Sequence, residues 1–137
     1  MEKVINNTLY MTKTLDTMAQ LQLARRLVSL TVLIESMTKP ENLGKDQTLL
    51  VTMMLGQLSD TDHNFLMTTC LKSVFRKDGE VWAKVMTDTG ALMYADIDLD
   101  TLVNLVATVI VENLGDFFRI ALAKMPQAGA AVKVPAL

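Results

Sequence analysis

Apolar residues recur at helical spacing in the first third of the chain. Between residues 15 and 37 they stand at Leu15, Met18, Leu21, Ala24, Leu27, Val28, Val32, Ile34 and Met37. Side chains three and four residues apart share one face of a helix, so this spacing predicts a helix over the stretch. Lys39-Pro40 is expected to end it, because the residue before a proline is pushed out of the helical conformation.

Two shorter helices are predicted to follow. Asp46 is a suitable N-cap for a helix that reaches about Leu58. Ser59-Asp-Thr-Asp62 then has the spacing of a capping box, with a carboxylate three residues after the serine. The helix that it introduces is expected to run to about Phe75.

A β-hairpin is predicted at about residues 80–95. Val81-Trp-Ala-Lys-Val-Met86 and Ala91-Leu-Met-Tyr94 flank Asp88-Thr-Gly90, where the glycine suits a turn position that needs a positive φ. Residues 1–13 could form a short strand or an arm. Two strands alone are marginally stable, so we expect the hairpin to lie on the helices or to pair with the N-terminal segment.

The most informative stretch runs from Asp98 to Arg119. Asp98 is a good helix cap, and the residues after it are apolar almost all the way round the predicted helix. A helix this apolar must be buried, either in its own domain or against a partner. We expect the helix to continue past Gly115, although glycine is about 1 kcal/mol less favourable in a helix than alanine. It is expected to end before Met125-Pro126.

The two phenylalanines near the end of this helix are predicted to differ in burial. Adjacent residues on a helix point about 100° apart, so one ring should enter the core while the other lies nearer the surface or a subunit contact. Counting back from Phe117 by helical turns gives the more apolar stripe, which includes Ile110, Val106 and Leu102. Phe117 is therefore the expected core residue, and Phe118 the expected surface or contact residue.

The composition is that of a compact domain. The 137 residues fit one domain, which we expect to span residues 1–125 and to be mainly α, an α+β arrangement of about four helices with the hairpin. Residues 126–137 lack periodicity and are expected to form a flexible C-terminal tail. A net charge of −2 with scattered Lys and Arg argues against a nucleic-acid partner.

Neither secretion nor membrane insertion is indicated. The N-terminus lacks the apolar core and cleavage site of a signal peptide, and the longest apolar-rich run, from Leu102 to Val111, is too short to span a bilayer. Cys70 is the single cysteine, which permits no intramolecular disulfide and fits a reducing compartment. The sequence therefore predicts a soluble cytoplasmic protein.

Residues with catalytic or metal-binding potential are few and badly spaced. His63 and Cys70 are seven residues apart, about 10 Å along a helix, which is too far for the hydrogen bond of a nucleophile–base pair. One histidine and one cysteine cannot supply the usual zinc ligands, and no glycine-rich phosphate loop occurs. We therefore expect no enzymatic activity, no metal and no cofactor, and a function in binding.

The chain contains ten methionines, whose flexible side chains suit an adaptable contact surface as well as a core. Met53, Met54, Asn113 and Phe118 are the candidates for partner binding or self-association. Since the apolar, Met-rich surface exceeds what a chain of this size normally hides, we expect concentration-dependent homo-oligomers.

The order of these features resembles a known family. A first helix with Ala24-Arg-Arg-Leu27 is followed by a helix introduced by Leu58-Ser-Asp-Thr-Asp62, a short β segment around Trp82, and a last helix that closes on Glu112-Asn-Leu-Gly-Asp-Phe-Phe118. This order is similar to that of the small tail assembly chaperones of tailed bacteriophages, over roughly residues 15–122. The segment from Asn113 to Phe118 is the most specific element of the resemblance.

The resemblance implies a function that composition does not show. Such chaperones bind the long, helical tape measure protein in the cytoplasm of the infected host, keep it soluble and help to recruit tail tube subunits. They are generally absent from the finished virion, and in many phages a frameshifted, extended form contacts the tube protein. Two alternatives stay open: a structural head–tail completion protein and a small cytoplasmic helical adaptor of another system.

Overall fold

The computed structural model describes residues 1–39, 41–42 and 46–124. The elements follow in the order β1 (Glu2–Ile5), β2 (Thr8–Thr12), α1 (Thr17–Leu27), α2 (Thr31–Met37), α3 (Thr48–Gly56), α4 (Asp60–Leu71), β3 (Val74–Asp78), β4 (Val81–Lys84), α5 (Leu99–Ile110) and α6 (Asp116–Lys124). A 3-10 turn, Val28–Leu30, joins α1 to α2, and a π-helical turn, Val111–Gly115, joins α5 to α6. The mainly helical α+β class is confirmed. The predicted tail, residues 126–137, lies outside the described residues, and a single domain over residues 1–125 stays a prediction.

Within the described residues, four strands form one antiparallel sheet in the order β1-β2-β3-β4. β2 pairs with β3, so that Tyr10 lies opposite Arg76. The N-terminal hairpin is thereby joined to a second hairpin from beyond α4. Because a two-stranded hairpin is marginally stable by itself, each hairpin gains support from the other.

The hairpin turns are made by residues with positive φ. Asn6 and Asn7 have φ angles of 51° and 62°, which suits the two-residue turn between β1 and β2, because asparagine tolerates the left-handed region better than most residues. Gly79, with a φ of 66°, serves the turn between β3 and β4.

The end of α4 differs from the prediction. The helix ends at Leu71 rather than at about Phe75, and Val74–Asp78 forms β3. Cys70 and Val74 are four residues apart, which fits a helix, but pairing with β2 on one side and β4 on the other gives this segment a strand conformation. Strand formation depends strongly on such neighbours, which a local pattern does not reveal.

The predicted hairpin at residues 80–95 is also shifted. Val81–Lys84 pairs with β3 instead of with the segment around Leu92. In the described part of the chain the predicted partner is joined to this region by a backbone bridge between Met86 and Leu92, and Gly90 has the expected positive φ, 94°. The turn and the pairing beside it are therefore present as predicted, with Thr87 and Met93 donating backbone hydrogen bonds to Ala91 and Val85. The prediction is wrong for Val81–Lys84, which pairs with β3.

Helix α5 lies in the core and contacts both α3 and α4. The carboxylate of Asp98 caps it by accepting a hydrogen bond from the backbone N–H of Thr101 at 2.9 Å. Val106 and Ile110 are completely buried on this helix, whereas Leu102 is half-buried. The apolar stripe of α5 thus forms the common surface on which the surrounding helices pack.

Candidate binding surface

Phe118 is buried and Phe117 is exposed, the reverse of the prediction. Phe118 is 3% exposed and Phe117 57%, although the two rings lie edge to face with centroids 5.3 Å apart. The prediction assumes an unbroken α-helix. The π-helical turn Val111–Gly115 adds a residue to one turn, so later positions are rotated relative to the α-helical count. The buried stripe therefore runs from Ile110 through Leu114 to Phe118.

Asn113 holds the π-helical turn against the start of α1. Its side-chain oxygen accepts hydrogen bonds from the backbone N–H of Leu15 at 2.8 Å and from Nε2 of Gln20 at 3.1 Å. Its amide nitrogen donates to the carbonyl of Val109 at 2.9 Å. Both polar groups of the side chain form hydrogen bonds inside the molecule. Asn113 therefore stabilises the contact between the π-helical turn and α1, and does not occupy the surface position expected for a partner contact.

Exposed apolar side chains cover the outer faces of α1, α2 and α6. Along α1, the 3-10 turn and α2 they recur on one side at helical spacing, with the exposed Arg25 between the second and the third. This set is here called the α1–α2 stripe: Met18, Leu21, Val28 and Val32. On α6, Phe117 and Ile120 are 57% and 50% exposed. Together with Ala121 and Lys124 they line a shallow depression of about 200 Å³, here called the α6 patch. Since α6 contacts α2, the two surfaces lie on neighbouring helices.

From the sequence alone, the exposed residues of the α1–α2 stripe cannot be distinguished from the buried residues of the same segment. The residues of this segment that are buried form a second set: Leu23, Ala24, Leu27, Ile34 and Met37. A helical segment with apolar residues on two sides has more apolar surface than its own core requires. Sorting the apolar residues into two helical faces is therefore the sequence signal that points to a contact surface.

The two methionines predicted as contact residues lie in different environments. Met53 is 55% exposed and lies one turn after Leu49, which is 73% exposed on α3. Met54 is completely buried, so its prediction as a surface contact is wrong. The difference follows from helix geometry, because adjacent residues point about 100° apart.

The thiol of Cys70 is completely buried. Burial raises the pKa of the Cys70 thiol to about 12, which keeps it protonated and unreactive at neutral pH. Among the residues that the structure describes, no three His, Cys, Asp or Glu side chains are grouped so that they could hold a metal ion. Within the same ranges, no helix is both long and apolar enough to cross a membrane. The geometry offers surfaces for binding.

The amino-acid sequence matches a known protein family. The family model described as phage tail assembly chaperone protein, TAC, matches residues 6–127. No curated protein and no solved structure matches the chain significantly. The family match spans α1 to α6 and most of the sheet, including the segment from Asn113 to Phe118.

Proposed function

Because the chain belongs to the family of phage tail assembly chaperones, we propose that it binds the tape measure protein and keeps it soluble until the tail tube forms around it. It acts by binding rather than by catalysis, in the host cytoplasm, and is absent from the finished virion. The family supports a role in tail assembly, and the choice of client is our own inference.

The observation that carries this proposal is the presence of exposed apolar side chains on neighbouring helices. The α1–α2 stripe and the α6 patch present side chains at helical spacing. A long amphipathic helical client needs cover for its apolar side, and such a side fits against a helical surface of this kind. The unbranched side chain of Met18 can adapt to different client residues along the way.

The free energy available from these surfaces suits a weak, repeated contact. Burying a Val, Leu, Ile, Phe or Met side chain fully is worth about 1.5–3 kcal/mol. The side chains of the stripe and patch are already partly covered, so each has roughly 1 kcal/mol left to contribute. Binding also costs translational, rotational and side-chain entropy, so one chaperone molecule binds the client weakly. Many copies bound along one long client hold it through avidity.

Many copies on one client also favour contacts between chaperones. We propose weak head-to-tail self-association along the tape measure protein, since a contact between two different surfaces builds an open array when it does not close. The assembled copies then help to recruit tail tube subunits, with an extended frameshifted form carrying the contact with the tube protein.

Co-expression with the tape measure protein of the same phage tests the proposal. Wild-type chaperone should raise the soluble fraction of the client, and the double variant Phe117→Ser/Ile120→Ser should lose most of this effect while staying folded. The matched control is Val81→Ser/Leu99→Ser, which also removes two exposed apolar side chains, 61% and 73% exposed, but outside the stripe and patch. Equal solubilisation by both double variants would contradict the proposed surface.

A further inference from the structure

A groove of about 650 Å³ runs beside strand β1, away from the α1–α2 stripe and the α6 patch. One wall is β1 itself, with all of Glu2–Ile5 lining it. Helix α5 and the π-helical turn contribute the small or apolar side chains of Val103, Ala107 and Val111. The opposite wall comes from the end of α2 and the start of α3.

The backbone of β1 is unpaired on the side of this groove. Met1 and Thr12 exchange two backbone hydrogen bonds of 2.9 Å. Since pairing alternates along an antiparallel ladder, Lys3 also bonds to β2, whereas the N–H and C=O groups of Glu2 and Val4 point outward. In the described part of the chain, no backbone group bonds to those outward groups, so they are free to pair with an added strand.

The rim of the groove is acidic. Four carboxylates line it: Glu2, Asp46, Asp100 and Glu112. Glu112 lies 3.9 Å from the amino group of Met1. The single lysine of the lining, Lys3, is held by the groove itself, because its Nζ donates to Asn104 and Thr108, each at 3.2 Å. Asp46 and Asp100 accept hydrogen bonds from the backbone N–H and the hydroxyl of Thr48, which do not neutralise their charge. Together with Glu2 they favour an occupant with a positive charge.

We propose that this groove binds an extended peptide segment of another protein, in which apolar residues alternate with basic ones. The segment adds to the sheet as a strand beside β1 and bonds to the outward groups of Glu2 and Val4. Its apolar side chains, on the side of the strand that faces α5, lie against Val103 and Ala107. Lys3 points towards α5, where its Nζ donates to Asn104 and Thr108, so the neighbouring Glu2 points to the other side of the sheet. The basic side chains of the segment lie on that other side, beside Glu2. This is strand addition, a mode of recognition different from the helix docking proposed above and independent of it.

A second copy of β1 fits the groove less well. Two copies related by a two-fold axis can match their outward groups by pairing Glu2 with Val4, which places the two Lys3 residues directly opposite each other. Like charges in that position destabilise a strand pair. The charge of the rim and of Lys3 therefore favours a separate basic segment over self-pairing through β1.

The test uses a blocked seven-residue peptide in which valine alternates with serine and lysine, titrated into the full chain and followed by calorimetry and by amide hydrogen exchange. Binding is expected, with new protection of the amides of Glu2 and Val4. Val4→Pro deletes an outward N–H without breaking a bond to β2 and should weaken binding about tenfold or more. Ala107→Arg, which fills the groove with a positive side chain, should have a similar effect.

The control is Lys84→Pro on the opposite edge of the sheet. The N–H of Val85 donates to the carbonyl of Val74 on β3. Because pairing alternates along the strand, the N–H of the preceding Lys84 points outward. Lys84→Pro should therefore bind the peptide like wild type. Absence of binding at millimolar peptide, or unchanged affinity in both Val4→Pro and Ala107→Arg, would overturn the proposal. Self-association that Val4→Pro abolishes, without peptide binding, would show instead that the edge pairs with another copy.

Discussion

The methyl carbon of Thr38 occupies the space that any larger residue at position 115 would need. A Cβ built on Gly115 would lie 2.6 Å from Cγ2 of Thr38, which is well inside van der Waals contact. Thr38 caps the end of α2, where its hydroxyl donates to the carbonyl of Glu35 at 2.8 Å. This contact fixes how closely α2 approaches the π-helical turn, and it explains why a glycine is found inside a long helical stretch.

The first prediction concerns the variant Gly115→Ala. Alanine should gain about 1 kcal/mol in helix propensity, but the overlap with Thr38 should cost about 1–3 kcal/mol, so the variant should unfold at lower urea concentration than wild type. Thr38→Ser keeps the hydroxyl and removes the methyl group. In that background Gly115→Ala should no longer destabilise the protein. A destabilisation that persists without the methyl group would show that the close approach is not the cause.

The second prediction separates Phe118 from Phe117. Phe118→Ala should lower the free energy of unfolding by about 3–5 kcal/mol, because it opens a cavity among buried side chains. Phe117→Ala should cost about 1 kcal/mol or less, since it removes an exposed ring and its edge-to-face contact. Urea unfolding of both variants measures the difference.

The same pair of variants tests self-association. We expect the α6 patch, when no client covers it, to contact another copy of the chain, so Phe117→Ala should reduce the concentration dependence of the mass measured by light scattering. If Phe117→Ala destabilised the fold as strongly as Phe118→Ala, the burial pattern described for the last helix would be wrong.

The sequence predicts most of the helices because their caps and spacing are local. Asp98 and Ser59 cap α5 and α4 as expected, accepting hydrogen bonds from the backbone N–H groups of Thr101 and Asp62. The fold class followed from these local signals. The turn at Asn6-Asn7 was also available in the sequence, since paired asparagines favour positive φ at both turn positions.

What the sequence does not predict depends on distant contacts. β3 forms because β2, more than sixty residues earlier, pairs with it. The π-helical turn is held by Asn113 against Leu15 and by the approach of Thr38 to Gly115. These contacts cannot be read from the sequence, so the prediction counts residues as in a regular α-helix. That count places Phe117 in the core instead of Phe118.

The third prediction concerns acid stability. The hydrogen bond from the backbone N–H of Thr101 lowers the pKa of Asp98 below its ordinary value of 3.8. A carboxyl group whose pKa is lowered by folding stabilises the protein above its unfolded pKa, and this contribution is lost as the pH falls through the lower, folded value. Asp98→Asn keeps the cap, because the amide oxygen accepts the same bond, but it does not titrate.

Asp98→Asn should therefore be nearly as stable as wild type at pH 7 and lose less stability between pH 4 and pH 2. Urea midpoints at several pH values measure this difference. Asp88→Asn, which removes an exposed carboxylate 3.8 Å from Lys84 and outside any helix cap, is the control. Parallel pH profiles for wild type and Asp98→Asn would contradict the role given to the cap.

The fourth prediction uses Cys70 as a probe of opening. Its thiol is completely buried, and burial raises its pKa to about 12, so a thiol reagent should label the native protein only through unfolding. Phe118→Ala should speed up labelling about 100-fold or more, if the opening that exposes Cys70 is global. Labelling in urea should be fast for every variant. Rapid labelling of the native wild-type protein would show that Cys70 is accessible.

Amide hydrogen exchange on the complex with the tape measure protein shows where the client binds without altering any residue. Exchange should become slower over residues 17–32 and 116–124 when the client is bound, with β3 and β4 unchanged. Protection confined to the sheet, or exchange that is the same with and without the client, would contradict the claim that the α1–α2 stripe and the α6 patch bind the tape measure protein.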